Sequence, residues 1–426
     1  MARLTILSCA VVFCLLLVTT AAGQQRRKSR RCVDSRTCRY YKSRTLCRFR
    51  YIRSILCPAN FAWGMYKHAR KVSDEKELKN LIFSPASISI AVGMALAGAK
   101  GETRREIVDA IANGVDDEQL NAAFNWLVNE INSAGKKYKL HTANAVYIDN
   151  GLNLVDEYAK AVLNCFKSEA NLVDFGSNSE AIAKQINEWV EGKTNEKIKD
   201  LIKKLPPATR MVLVNAIYFK AQWLSKFSDD GQTYDGQFYS HGKTRKQTKL
   251  MNQEGFFNHT KDASLNVEVL SLPYEDKEVS MYFFLPNERD GLEVLESKLK
   301  PENVDKLIGK MRRQNVDVTI PKFKIEESFP LKKVLQSMGV KQAFGGGADF
   351  SGMATNANLF ISDALHKAMI EVNEKGTEAA AATAIIMAES ASMNQPVYFR
   401  ADHPFMFGLR HESSGQWLFI GSLTNV

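Results

Sequence analysis

The sequence predicts an α+β protein built on large mixed sheets. Three observations carry this expectation. Helix-period patterns fill the first half of the chain, and strand-like runs dominate its last third. The run 209–223, "TRMVLVNAIYFKAQW", is apolar almost throughout, as suits a strand at a sheet centre buried on both faces. With 426 residues and 45% hydrophobic content, the chain can bury one large domain or two ordinary ones. It contains no internal repeat.

The elements follow in order. Met-Ala-Arg is followed by an apolar stretch from Leu4 to Val18, then by Thr19, Thr20, Ala21, Ala22 and Gly23. A charged start, a short apolar core and a small-residue cleavage region read as a secretory signal peptide over 1–23, cut after Ala22 or Gly23. The run is short for a bilayer span, so the protein is expected to be secreted and extracellular, not membrane-spanning. Residues 24–57 form a second unit. Twelve Arg and Lys residues stand there against Asp34 alone, a net charge of +11 in a chain whose total is +10. Residues 58–426 carry −2, so the basic character belongs to the small unit. Its Cys32, Cys38, Cys47 and Cys57 are expected to form two disulfides, with three pairings open. Cys165 stands alone in the main body and reads as an unpaired, part-buried thiol. A cationic unit on a secreted chain points to a polyanion, such as a glycosaminoglycan, or an anionic surface. Residues 26–53 would carry that contact. Secretion argues against nucleic acid.

In the body, 60–71 is helical in pattern and Leu81-Ile82-Phe83 is a short strand. Ser84-Pro85 breaks it and opens a buried helix over 88–97, with Pro set for the first turn. Helices are expected at 103–111, 118–131 and 180–194, and strands at 139–148 and 209–223. Beyond Trp223, strands are expected at 266–274, 279–286, 316–325, 396–411 and 417–423, with helices at 291–299, 302–312 and 329–338.

Motifs for catalysis are missing. The chain has no Gly-x-Ser-x-Gly elbow, no His-Glu-x-x-His zinc helix and no Walker-type phosphate loop. Gly345-Gly346-Gly347 reads as a turn, and the pairs Asp116-Asp117 and Asp229-Asp230 as solvated loops. The seven histidines are scattered; His366, His403 and His411 read as structural. Neither a cofactor nor a metal is expected, and the chain does not read as an enzyme. Asn258-His-Thr260 is a glycosylation acceptor triplet.

The stretch 376–393, "GTEAAAATAIIMAESASM", reads locally as an alanine-rich helix. Larger blocks change its meaning. "NLIFSPASISIAVGMALAGAKGET" (80–103), "LVNAIYFKAQW" (213–223), "LPYEDKEVSMYFFLPNE" (272–288), "IPKFKIEES" (320–328), "ADFSGM" (348–353), "ISDALHKAMIEVNEKGTEAAAATA" (361–384) and "FRADHPFMFGLRHESSGQWLFIGSL" (399–423) together resemble a serpin over 60–426. The resemblance implies three β-sheets, eight to nine helices and an exposed reactive-centre loop. It also implies a monomeric suicide inhibitor that forms a covalent complex with a serine protease.

In such a protein the loop is cut, and its N-terminal part then inserts into a sheet as a new strand. Side chains of a strand alternate between faces. Thr377, Ala379, Ala381, Thr383, Ile385 and Met387 would share the inward face, with Glu378, Ala380 and Ala382 outward. Gly376 to Thr383 is the hinge. Counting by resemblance places the cut at Ser390-Ala391, with Met387-Ala388 and Met393-Asn394 as alternatives. No Arg or Lys lies between Lys375 and Arg400, so an elastase- or subtilisin-like target is expected. Ser84, Ser87, Asn215 and His366 match the family's polar cluster beneath the opening sheet. Trp223 matches the aromatic at the top of that sheet. The helix that often binds heparin in the family matches 118–131, which has no Lys or Arg; Lys136, Lys137 and Lys139 follow it. The unit 24–57 weakly resembles the start of an ShK-like toxin domain but lacks two of its six cysteines. A non-inhibitory serpin (carrier, storage protein or chaperone), or a binding protein acting through 24–57, are the competing readings.

Overall fold

The computed structural model describes residues 59–73, 78–112, 116–132, 138–227, 233–355, 358–377 and 395–426. The first half holds α1 (Ala59–Val72), β1 (Leu81–Phe83), α2 (Pro85–Gly98), α3 (Gly101–Ala112), α4 (Asp117–Ile131), β2 (Lys139–Asp149), α5 (Asp156–Phe166), β3 (Glu169–Val173), α6 (Phe175–Lys193) and β4 (Met211–Gln222). The rest holds β5 (Thr233–Ser240), β6 (Thr244–Asp262), β7 (Val267–Pro273), β8 (Val279–Pro286), α7 (Leu292–Lys298), α8 (Pro301–Lys310), β9 (Arg312–Pro321), β10 (Phe323–Phe329), α9 (Leu331–Ser337), β11 (Asp363–Asn373), β12 (Gly376–Thr377), β13 (Val397–Arg400), β14 (Phe405–His411) and β15 (Trp417–Leu423).

Local chemistry sets the helix starts. The Ser84 hydroxyl accepts the Ser87 N–H at 3.1 Å, and Pro85 opens α2. Asp116 was expected in a solvated loop with Asp117; instead it caps α4 through a capping box with Gln119. α2 is buried almost all round, as its small apolar residues require.

Hydrogen bonding gathers the strands into two sheets. One runs β10-β11-β12-β4-β2-β3. The other runs β1-β15-β14-β8-β7-β6-β9-β13, with β5 on β6. Two of the three sheets expected from the resemblance are therefore continuous, because the 19-residue β6 belongs to both. The expected strand over 316–325 divides into β9 and β10 at Lys322, and 396–411 divides into β13 and β14 ahead of Phe405. Elements α5, β3, β5 and β6 had no clear sequence signal.

β4 is the centre of the six-stranded sheet. Its Leu213, Ile217 and Phe219 join the main core, while Val212, Val214, Ala216 and Tyr218 face a second core with α6 residues Ile186 and Val190. Nearly every residue of β4 is buried, as its continuous apolar run predicts. Among the described residues, no helix is long and apolar enough to cross a membrane. Cys165, expected as an unpaired thiol, is instead disulfide-bonded. It is half-buried in the last turn of α5, and the other six cysteines all precede residue 58. The expected pairings of Cys32, Cys38, Cys47 and Cys57 lie outside the described residues.

Candidate functional site

The site lies where β4 and β11 meet above α2. These two strands pair in parallel from Val212–Asp363 to Tyr218–Met369, which puts His366 directly beside Asn215. Both point toward the start of α2. His366 Nδ1 donates to Asn215 Oδ1, and His366 Nε2 accepts the Ser84 N–H at 3.0 Å. Asn215 Nδ2 donates to Ser87 Oγ at 2.7 Å and to Asn144 Oδ1. Ser84, Ser87, Asn215 and His366 are all buried. The imidazole must therefore be the neutral Nδ1–H tautomer, and burial pulls its pKa down to about 3. This network ties three separate pieces of chain: β4, β11 and the N-terminus of α2. Asn144 of β2, which sits opposite Asn215 in register, adds a fourth.

Above this level the two strands part. Pairing of β4 with β11 ends at Tyr218–Met369. Higher up, the two-residue β12 lies between them. Gly376 and Thr377 pair antiparallel with Asn373 and Val372 on one side and with Gln222 and Ala221 on the other. Thr377 is fully buried, and its hydroxyl meets the Tyr274 hydroxyl at 2.8 Å. Gly376 adopts φ +147°, and a Cβ there would strike the Ala221 carbonyl oxygen. Only glycine fits this turn into the sheet.

Trp223 closes the top of the sheet. Its ring stacks on Tyr274 at 4.4 Å, and its Nε1–H donates to the Asn373 carbonyl at 3.0 Å. Its backbone N–H donates to the Lys375 carbonyl. Glu374 sits beside this turn, 3.0 Å from Lys322 Nζ, and accepts from the Thr233 hydroxyl at 3.1 Å. Burial opposes its charge, but a backbone hydrogen bond and the Lys322 ammonium together hold its carboxyl below the usual range.

A short strand seated between two parted strands, above a buried polar network, is the arrangement the resemblance anticipates for an insertable loop. The serpin (serine protease inhibitor) family profile matches residues 58–426. The chain is a serpin. It is 40% identical to intracellular coagulation inhibitor 2 of Tachypleus tridentatus over 82% of this chain and 86% of that one. It is 35% identical to human (Homo sapiens) serpin B4 over 86% and 97%. Among solved structures, Serpin48 of the insect Tenebrio molitor superposes with a TM-score of 0.77 at 32% identity, covering 89% of this chain and 98% of that one. Uncleaved ovalbumin superposes with a TM-score of 0.78 at 28% identity, covering 87% and 99%. Serpins are protease inhibitors rather than enzymes, and they partner with serine proteases.

In this serpin, Ser84, Ser87, Asn215 and His366 form one connected network, and Trp223 stands apart from it at the top of the sheet beside Gly376 and Thr377. Glu378, Ala379, Ala380, Ala381, Ala382, Thr383, Ser390 and Ala391 lie outside the described residues. Asn258 is exposed on β6, between Ser271 of β7 and Arg313 of β9. Sequence reasoning missed Asn144, Tyr274, Lys322 and Glu374. Asn144 left one faint signal, a polar side chain among the small residues of "HTANAV". The others left none, because their partners lie far away in sequence.

Proposed function

We propose that this serpin is a secreted suicide inhibitor of serine proteases. The seating of Gly376–Thr377 between β4 and β11 is the observation that carries the reading. The hinge already occupies the place where a longer strand would form. The residues that would follow it inward, Ala379, Ala381 and Thr383, are small and uncharged.

The protease's serine Oγ attacks the Ser390 carbonyl carbon. The Ser390–Ala391 bond breaks, the Ala391 nitrogen leaves with a proton, and an ester joins Ser390 to the protease. The freed strand then zips between β4 and β11, extending the pairing that β12 begins. Insertion carries the tethered protease along and distorts its site before water can cleave the ester. The energy comes from a native state trapped above a more stable inserted one. Ser84, Ser87, Asn215 and His366 hold the sheet shut until that moment, and Trp223 with Tyr274 lines the point where insertion starts. The loop chemistry favours an elastase- or subtilisin-like protease. The signal peptide 1–23, the basic unit 24–57 as a polyanion contact, and a glycan on Asn258 complete the reading.

The test is incubation with elastase-, subtilisin-, chymotrypsin- and trypsin-like proteases. The expected result is a complex that survives denaturing electrophoresis and a released peptide whose mass begins at Ala391. Cleavage without a covalent complex against all four would overturn the inhibitor reading in favour of a non-inhibitory serpin. Likeness to a thyroxine-binding globulin solved with its ligand, at a TM-score of 0.78 and 32% identity, makes that alternative concrete.

A further inference from the structure

A second cluster lies away from the hinge, where the end of α4 meets two hairpin turns of the nine-stranded sheet. Glu130 lies in the last turn of α4, Glu278 just before β8, and His411 at the end of β14. One ligand atom from each of the three lies within 4.8 Å of the others. His411 Nε2 is 3.1 Å from Glu130 Oε1, and both side chains are largely buried, at 5% and 13% exposure. Glu278 is exposed.

The frame around these groups is rigid. His411 pairs with Val279 across the β8–β14 ladder, and Glu412 N–H donates to the Glu278 carbonyl at 2.8 Å. His411 Nδ1 lies 2.8 Å from Ser414 Oγ. When Nδ1–H donates there, the Nε2 lone pair faces the carboxylates, as a metal-binding imidazole requires. Tyr138 donates at 2.8 Å to Glu130 Oε1, the same oxygen that faces His411 Nε2, and so fixes the carboxylate beside the imidazole. A further acidic group lies close by. Asp276 Oδ1 accepts the Glu278 N–H, but its Oδ2 is buried without a hydrogen-bond partner. Burial first, then Glu130, Glu278 and Asp276, raise the Tyr138 phenol far above its usual range. Carboxylates from α4 and from the β7–β8 turn are thus gathered around one buried imidazole.

We propose that Glu130, Glu278 and His411 form a binding site for a divalent cation of the zinc class. Two carboxylate oxygens and one imidazole nitrogen match the donor set of such an ion and leave a position for water. The sequence motifs point to no metal because the three ligands are spread over 282 positions of chain and share no spacing pattern. Bound there, the ion joins the end of α4 to the nine-stranded sheet. α4 leads through Tyr138 into β2 of the six-stranded sheet, so the ion also restrains that strand. Only this last consequence, a brake on sheet widening, rests on the inhibitor reading above; binding does not.

The experiment titrates zinc chloride alone into the full mature chain by calorimetry, beside Glu278→Gln, and follows thermal unfolding with and without zinc. Glu278 is exposed, so its glutamine variant should fold. The expected result is that one zinc equivalent of the parent is lost or weakened at least tenfold in the variant. The zinc-induced rise in the thermal midpoint should be lost with it. Zinc binding in the variant within tenfold of the parent at every site would overturn the proposal, because the ion would then be held by other groups. So would the lack of any zinc binding by the parent. No protease enters either measurement, so failure here is separate from failure of the inhibitor reading.

Discussion

At the residue scale, Asn215 and His366 are the most constrained polar groups in the sheet. Asn215 uses both ends of its amide at once, accepting from His366 and donating to Ser87 and Asn144. Asn215→Ala leaves those buried partners unsatisfied. It should cost about 2–3 kcal/mol, read as a lower thermal midpoint of the uncleaved protein. His366 supplies a pH dependence. Its folded pKa lies near 3, against about 6.5 when unfolded. Between these values the unfolded chain binds the extra proton, so stability falls as pH drops. The slope is about 1.4 kcal/mol per pH unit. Between pH 6.5 and 5, where most carboxylates stay ionised, denaturant midpoints should fall for the parent. His366→Gln should be less stable but should show a flatter profile in that window. An unchanged slope would exclude His366 as its source.

At the element scale, β12 is two residues long and yet sits between two partners. Thr377 is fully buried, with its hydroxyl 2.8 Å from that of Tyr274, so a long charged side chain there must displace its neighbours. Thr377→Arg should eject the hinge from the sheet and block its extension. The expected outcome is conversion from inhibitor to substrate: cleavage proceeds, and the denaturation-stable complex falls at least tenfold. Gly376→Ala should act in the same direction with a smaller effect, because it strains the turn without adding charge. Sequence reasoning expected a hinge over 376–383 from its small residues and the resemblance, of which Gly376 and Thr377 alone are among the described residues, and it found β4 through its apolar run. It missed β5 and β6, whose largely polar residues carry no long apolar run and only scattered buried positions. It also missed Tyr274, whose role depends on stacking against Trp223 rather than on any local pattern.

At the scale of the whole molecule, β4 and β11 of the six-stranded sheet pair directly below and part above, around the two-residue β12. A sheet of this kind can gain a strand. Cleavage in the loop should therefore raise the thermal midpoint strongly, since the inserted strand adds a full ladder and closes the core over β4 and β11. A calorimetric scan before and after limited proteolysis checks this; an unchanged midpoint would mean that the loop stays out. Removing residues 24–57 should leave protease inhibition intact, because the hinge, the polar network and the sheet all lie within 58–426. Loss of inhibition on that deletion would move the function toward the basic unit.

The sequence by itself determined the α+β class, most helices, the central strand and the family, since these depend on local periodicity and on long ordered blocks. It also marked Ser84, Ser87, Asn215, His366 and Trp223. What only the tertiary structure decided is how these groups meet. The parallel register of β4 and β11 puts His366 against Asn215, and β2 brings in Asn144. The same folding seats Thr377 under Tyr274, closes Glu374 onto Lys322, and gathers Glu130, Glu278 and His411. Each of these contacts joins residues far apart in the chain. Their cost in loop entropy is met only by the whole packed fold, so no local pattern announces them.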